Sequence, residues 1–312
     1  MKPKVSVIIP VYNSSRYVKT CLDSILSQSW SDFELLVSDD GSTDHSYDAM
    51  VSAAGNDPRV KLFRHSNLGM ARTLNELLRV ARGDYIARLD ADDEALPQRL
   101  ERQVNFMESN RDCVVVGGGV LNIDEDGDPF SIELYPVEHE DIESRMLSGR
   151  GGIIHPSTMI RRAPMVGCGG YSTNCPVVED QDLWLRLALR GQLANIPEVL
   201  IRYRVHAGNI SFSDARNAAQ RLAEVLIRAH IDRGLAVPCS GHWTGAAVPD
   251  EWERRRQWCW SAVNANYHQT ARKHAHRLVR QRIFDKRAWT LLAYAFFPRQ
   301  ANWLRQLLRR SP

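Results

Sequence analysis

The sequence predicts an α/β fold with a largely parallel central sheet flanked by helices and a C-terminal helical appendage. Apolar, β-rich runs alternate with segments of helical period up to Val116, the mark of successive βαβ units. Polar stretches at 10–13, 39–44 and 90–93 follow three of those strands, so they fall at the carboxyl edge, where open parallel sheets bind ligands. After residue 212 the composition changes. There 18 Lys or Arg stand against seven Asp or Glu, whereas residues 1–212 hold 22 against 30, and six of the eight Trp lie in the basic part. Two domains are therefore expected, an α/β domain over 1–212 and a basic, Trp-rich helical region over 213–312.

Residues 4–10 are a near-continuous apolar run ending in Pro10-Val11-Tyr12-Asn13, a buried strand opening into a loop. Tyr17, Val18, Cys21, Leu22, Ile25 and Leu26 space a helix over 16–28. A second strand at 33–38 is broken by Asp39-Asp40-Gly41-Ser42-Thr43-Asp44, with Ser42 or Thr43 placed to cap a helix near Asp44. A short strand at 60–63 and the turn Asn67-Leu68-Gly69 lead into a helix over 70–81. Gly83 opens the fourth strand, where Tyr85, Ala87 and Leu89 alternate with Ile86 and Arg88. Pro97 starts a helix reaching Ser109, and 113–116 is a fifth strand closed by Gly117-Gly118-Gly119. A hairpin around Asp126-Gly127, a helix over 138–148 and an extended segment at 153–160 follow. Glu179-Asp180-Gln181-Asp182 opens an amphipathic helix that Gly191 ends, and 199–205 is another strand. The basic region reads as a helix over 216–231, a loop at 238–249 and a helical series over 252–310.

At 44% hydrophobic and 25% charged residues the chain supports a sizeable core. No signal peptide and no apolar run of about 20 residues is legible, which predicts a cytoplasmic location. Six Cys without any Cys-x-x-Cys pair predict reduced, buried thiols rather than a metal site.

The chemistry concentrates at Asp90-Ala91-Asp92-Asp93, three carboxylates within four residues. Their mutual repulsion raises the energy of an empty site, and a hard divalent cation such as Mg2+ or Mn2+, shared with substrate phosphates, would offset it. Taken alone, an Asp-x-Asp also reads as a solvated acidic turn.

Five motifs in order give the cluster company: Pro10-Val11-Tyr12-Asn13, Asp39 to Asp44, Asn67-Leu68-Gly69, Asp90-Ala91-Asp92-Asp93, and Glu179-Asp180 with Leu183-Trp184. Over residues 4–210 the chain resembles the family 2 glycosyltransferases, inverting enzymes of GT-A fold, with a Rossmann-like sheet, that use nucleotide-diphosphate sugars. The resemblance implies a base and ribose pocket at Pro10, Val11, Tyr12, Asp39 and Asp40, and a phosphate contact at Arg72. It implies donor and metal binding at Asp90, Ala91 and Asp92, with Asp92 the more direct metal ligand. Asp180 would be the general base, on the face opposite the leaving diphosphate, where a helix N-terminus favours the ionised carboxylate. Glu179 and Asp182 would flank it on the acceptor side, Asp182 as a second candidate base. His155 would reach a sugar hydroxyl or serve structurally. His206 would approach the metal or diphosphate, or be structural, with Arg204 a further phosphate partner.

The implied reaction moves a sugar, from a UDP-sugar by family likeness, to a hydroxyl of a saccharide or lipid-linked saccharide. Two alternatives stay open, nucleotidyl transfer to sugar phosphates and a non-catalytic nucleotide-sugar or polysaccharide binder. The loop at 10–15 lacks the Gly-rich basic character nucleotidyl transfer wants. For residues 252–310, an anionic membrane surface at the inner face of the cytoplasmic membrane and a cap packed on the α/β domain fit equally. No nucleic-acid reader module is present, and no nucleic acid is expected.

Overall fold

The computed structural model describes residues 2–206, 208–209, 215–237 and 250–297. The expected loop at 238–249 and the last part of the helical series, 298–312, lie outside the described residues. Two compact units interleave along the chain: 1–120, 134–203 and 213–246 form the first, and 121–133, 204–212 and 247–312 the second.

The strands are β1 (Val5–Val11), β2 (Phe33–Asp40), β3 (Val60–His65), β4 (Tyr85–Arg88), β5 (Glu94–Ala95), β6 (Cys113–Ile123), β7 (Pro129–Glu133), β8 (Met159–Arg161) and β9 (Gln192–Arg204). In the first unit they run in the order β3-β2-β1-β4-β8-β6-β9-β5. β1 is parallel to β2 and β4, and β2 to β3. Beyond β4 the sheet turns antiparallel, β8 against β4 and β6, and β5 against β9. The first half follows the βαβ pattern, and the second half completes a mixed sheet.

Every residue of β1 is buried, because the sheet is covered on both faces. Its two-residue period splits between two apolar layers. Val5, Val7, Ile9 and Val11 pack with Val18, Leu22 and Ile25 of helix α1 (Val18–Leu26). Ile8 packs on the other face with Leu36, Ile86 and Ile160. The helices are α2 (Ser46–Ala54), α3 (Met70–Val80), α4 (Arg99–Ser109), α5 (His139–Leu147), α6 (Arg162–Gly167), α7 (Glu179–Ala188) and α8 (Ala215–Asp232). Leu74 and Leu77 of α3, Leu183, Trp184 and Leu187 of α7, and Val225 and Leu226 of α8 join Ile8 in the second layer. α8 thus buries its apolar face within the first unit.

Gly117-Gly118-Gly119 does not close a strand: β6 runs straight through it. A Cβ on Gly117 would come within 2.4 Å of Asn195 Oδ1, and one on Gly118 within 2.4 Å of Leu200 Cδ1, so the glycines let β9 lie close. Neither Ser42 nor Thr43 caps α2, which begins at Ser46 with its N–H donating to Asp44 Oδ1 at 3.0 Å. β5 and α6 carry no periodic signal, being two and six residues long.

The second unit packs α9 (Glu251–Asn264), α10 (His268–Gln281) and α11 (Lys286–Phe296) around Trp252, Trp258, Cys259 and Leu278, with Phe130 of β7 stacked on Trp258 at 5.9 Å between centroids. At its centre Asp124, fully buried, opens the turn of the expected hairpin. Its Oδ1 accepts the N–H groups of Asp126 and Asp128 at 3.0 Å each. Its Oδ2 faces His274 Nε2 at 2.8 Å and the Lys273 ammonium. Arg255 can only donate, so the His274 Nδ1 beside its Nη1 at 3.3 Å is the acceptor, and Nε2 carries the proton given to Asp124. Burial would raise the Asp124 pKa, but the His274 and Lys273 bonds outweigh it and hold the carboxyl below its usual range. The stability these bonds supply is present above the unfolded-state pKa near 3.9 and lost as pH falls below it. Asp124→Ala leaves the buried His274 Nε2–H and the Asp126 and Asp128 N–H groups without their acceptor, while Lys273 keeps Asp126 and Asp128, and is expected to destabilise the second unit by about 3 kcal/mol at pH 7. Below pH ~4 the difference from wild type should shrink, which urea unfolding across pH would measure.

Candidate active site

The parallel registers set the site. Val11 lies beside Asp39, and Ile8 beside Arg88, so β1, β2 and β4 all end at one edge of the sheet. Pro10 and Val11 are buried in the strand, whereas the Tyr12 ring beyond them is half exposed. Asn13, at φ 48°, donates its N–H to Ser42 Oγ at 3.0 Å, and its Oδ1 accepts the Thr43 N–H at 2.9 Å, joining the loops after β1 and β2.

Asp39 and Asp40 are buried beside these loops. Asp39 Oδ1 accepts the Ser42 N–H at 3.1 Å, and its Oδ2 lies 3.1 Å from Arg64 Nε. Asp40 accepts the N–H groups of Leu68 at 2.6 Å and Gly69 at 3.0 Å, one on each oxygen. Asp40 thereby fixes the turn that starts α3, and Arg72 stands exposed on the first turn of that helix.

Past β4 the chain folds into a tight turn, with the Asp93 N–H on the Asp90 carbonyl at 3.1 Å and Ala91 tucked into the core. Carboxylate oxygens of Asp90, Asp92 and Asp93 lie within 4.8 Å of one another. Three convergent hard oxygen donors are a set that fits Mg2+ or Mn2+. Beneath them the Arg88 guanidinium, buried, grips Asp90, with Nη1 donating to Oδ2 at 2.8 Å and Nη2 against Oδ1. Behind Arg88 lies a second buried cation. Arg99 Nη2 donates to the Arg88 carbonyl at 2.6 Å and the Thr158 carbonyl at 3.1 Å. Burial pulls the Arg99 pKa down to about 9 while Asp93 pushes it back up.

The start of α7 brings further carboxylates. Val177 just before it has φ 74°, a strained conformation for a β-branched residue. Glu179 is 7% exposed, and its Oε2 has no hydrogen-bond partner. Asp180 Oδ1 accepts the Gln181 N–H at 2.7 Å. Burial, then the Asp180 charge, lifts Glu179 to about 7, and burial raises Asp180 against the Gln181 bond. Asp90 is likewise raised by burial and by Asp92, with Arg88 opposing. The charges of Asp180 and Asp90 act on each other, and Arg88 feels both Asp90 and Glu179, so two sequence-distant acidic motifs meet around one guanidinium.

The remaining candidates sit differently. Asp182 is buried and accepts from Arg186 Nε at 2.8 Å, with Arg228 of α8 at 3.6 Å, an ion-pair role between helices. His155 is buried, its Nε2 2.8 Å from the Tyr171 hydroxyl and its ring edge-on to Trp184. Burial and Arg88 keep that imidazole neutral. Arg204 and His206 belong to the second unit, where Arg204 Nη1 donates to the Asp124 carbonyl at 3.2 Å and His206 Nδ1 accepts the Gly208 N–H at 3.1 Å.

Sequence reading passed over Arg88, Arg99 and Tyr171. Arg88 had a signal, a lone cation inside a strand otherwise apolar and two residues before the acidic cluster. Tyr171 had none, because only the fold carries the loop after α6 to His155 and Arg88.

The glycosyl transferase family 2 model matches residues 6–166. The chain is 40% identical over 207 residues to the putative glycosyltransferase EpsE of Bacillus subtilis (strain 168), covering 65% of this chain and 73% of that protein. It is 33% identical to the O-antigen biosynthesis glycosyltransferase WbnJ of Escherichia coli, covering 65% and 80%. Among solved structures, S. aureus TarS 1–349 in complex with UDP-GlcNAc aligns with TM-score 0.58 at 16% identity, covering 93% of this chain and 91% of that one. The mannosyltransferase PcManGT from Pyrobaculum calidifontis in complex with GDP-Man and Mn2+ aligns with TM-score 0.57 at 18% identity, covering 100% and 89%. The chain belongs to glycosyl transferase family 2 and is a glycosyltransferase with the GT-A fold.

Proposed function

We propose that this glycosyltransferase works by inversion, moving a sugar from a UDP-sugar to a hydroxyl of a saccharide or lipid-linked saccharide acceptor during synthesis of a surface polysaccharide. The strongest support is the meeting of Glu179-Asp180 with Asp90-Ala91-Asp92-Asp93 around buried Arg88. Relatives named for O-antigen and amylovoran biosynthesis support the class of acceptor. TarS with UDP-GlcNAc supports the UDP donor, whereas PcManGT with GDP-Man leaves the base for experiment.

In this reading Tyr12, Asp39 and Asp40 edge the nucleoside pocket, Asp40 by holding the Leu68–Gly69 turn, and Arg72 meets the phosphates. Asp92, Asp90 and Asp93 would hold a divalent ion, which would supply Lewis-acid neutralisation of the diphosphate leaving group. Arg88 favours the ionised form of Asp90 from below. Asp180 anchors its Oδ1 on the Gln181 N–H and keeps Oδ2 for the acceptor hydroxyl proton as that oxygen attacks the far face of the sugar. His155, neutral and bonded to Tyr171, orients the wall beside the base rather than exchanging protons.

Asp180→Asn is expected to lower kcat by ~10²–10⁴-fold with donor KM little changed. Near-normal transfer by that variant would remove Asp180 from the mechanism.

Asp92→Ala should abolish the dependence of nucleoside diphosphate release on added Mn2+ or Mg2+, measured with a panel of nucleotide sugars. Rates that respond to metal as in wild type would exclude Asp92 as a ligand.

Glu179 titrates higher folded, about 7, than its ordinary 4.5. The folded state therefore keeps a proton that the unfolded chain has released, and this contribution to stability, present below pH ~4.5, is lost as pH rises to ~7. Glu179→Gln should accordingly gain stability over wild type, on the order of 3 kcal/mol at pH 8 and little at pH 4.5, by denaturant unfolding without added metal.

A further inference from the structure

Helix α11 is apolar on two faces. Ala288, Leu291 and Ala295 point into the core of the second unit. Trp289 and Phe296, seven residues apart and so on one stripe, point outward at 49% and 40% exposure. The turn leading into the helix adds Ile283 at 57% and Phe284 at 96% exposure, and Phe297 follows at the other end. Trp289 Nε1 donates to the Ile283 carbonyl at 2.7 Å, which ties the turn to the stripe and satisfies the indole N–H. A Phe left almost wholly in water gains the fold nothing, and beside it the linked Ile283 and Trp289 make a patch rather than scattered exposure, while Phe296 further along lies under Arg272 and edge-on to His276.

The same stretch is cationic. Residues 280–287 carry Arg280, Arg282, Lys286 and Arg287 against Asp285 alone, and all four cations are exposed. Arg287 pairs with Asp285 and Arg282 with Asp250, while both guanidinium groups lie over the Trp252 ring. The chain then continues through 298–312 with four Arg and no acidic residue. No described helix is long and apolar enough to cross a membrane.

We infer that this face of the second unit docks on an anionic lipid surface, with Phe284, Ile283 and Trp289 entering the headgroup–acyl boundary and the surrounding cations meeting lipid phosphates. Aromatic side chains for the boundary and positive charge for the headgroups are what peripheral attachment uses. An acidic protein partner would need to complement the same collar with a pocket for a fully projecting Phe, whereas a bilayer surface accepts it without shape. The inference is independent of the catalytic reading. If both hold, lipid-linked acceptors are the substrates that this surface would bring near.

The test is sedimentation of the full-length protein with vesicles of phosphatidylcholine alone, or of phosphatidylcholine mixed with phosphatidylglycerol, at low and high salt. Binding is expected to the mixed vesicles only, and to weaken as salt rises. The double variant Phe284→Ser, Trp289→Ser should bind about tenfold more weakly or less, with unchanged thermal unfolding and transfer to a soluble acceptor. Arg280→Glu with Lys286→Glu should remove most of the salt-dependent part. Equal affinity for neutral vesicles, no binding to either, or full binding by the Phe284 and Trp289 variant would each overturn the inference. So would a wild-type dimer that the variant turns into a monomer, because a second copy would then be what covers the patch.

Discussion

The organisation of the first unit turns on one buried cation. Arg88 leaves the end of β4 and meets the carboxylate of Asp90 two residues later, at a place where Glu179 and Asp180 also arrive. Without it, carboxylates from two distant parts of the chain would crowd a low-dielectric pocket without the guanidinium that lowers Asp90, Glu179 and Asp180 alike, and burial already drives their pKa values up. Arg88 is itself buried, so its position must be imposed. Arg99, Gln103 and Thr158 impose it by fixing the backbone at the strand end, Gln103 reaching the Val116 and Ser157 carbonyls at 3.1 and 2.8 Å. The acidic edge is thus held by a chain of hydrogen bonds running through α4 and the strands beneath it.

That arrangement explains why the carboxylates differ. Asp40 has a backbone donor on each oxygen, and Asp39 has one on Oδ1 and the Arg64 guanidinium beside Oδ2, so both act as fasteners of loops. Asp182 has Arg186 and fastens α7. Glu179 has an oxygen with no hydrogen-bond partner and a pKa raised to about 7, and Asp180 is raised with it.

Sequence patterns reach part of this. The parallel half of the sheet was legible because β1 is a near-continuous apolar run and β2 and β4 are mostly apolar, each followed by a polar loop, and the parallel rule then puts Asp39, Asp40 and Asp90 at one edge. The antiparallel half was not, because β5 and β8 are two and three residues long and β6 hides behind a Gly triplet that reads as a break. Those glycines answer to Asn195 and Leu200, roughly 80 residues away, and no local window contains that contact. The roles of His155 and Asp182 were ambiguous for the same reason. Tyr171, the partner of His155, and Arg228, the second partner of Asp182 after its helix neighbour Arg186, come from elements whose placement depends on the fold.

The second unit shows the same logic with a different outcome. Its turn gathers Asp124, Glu125, Asp126 and Asp128, an acidic cluster comparable to the one after β4. Here Lys273, His274 and Arg277 of α10 close on it, and two backbone N–H groups fill the remaining lone pairs of Asp124. Burial is again the largest influence on the carboxyl, yet its pKa moves down instead of up, because the donors outnumber what burial costs. Similar densities of carboxylate therefore carry opposite shifts, Asp124 downward and Asp90 upward. Which donors close on a carboxylate is a property of tertiary structure, invisible in the spacing of the aspartates themselves.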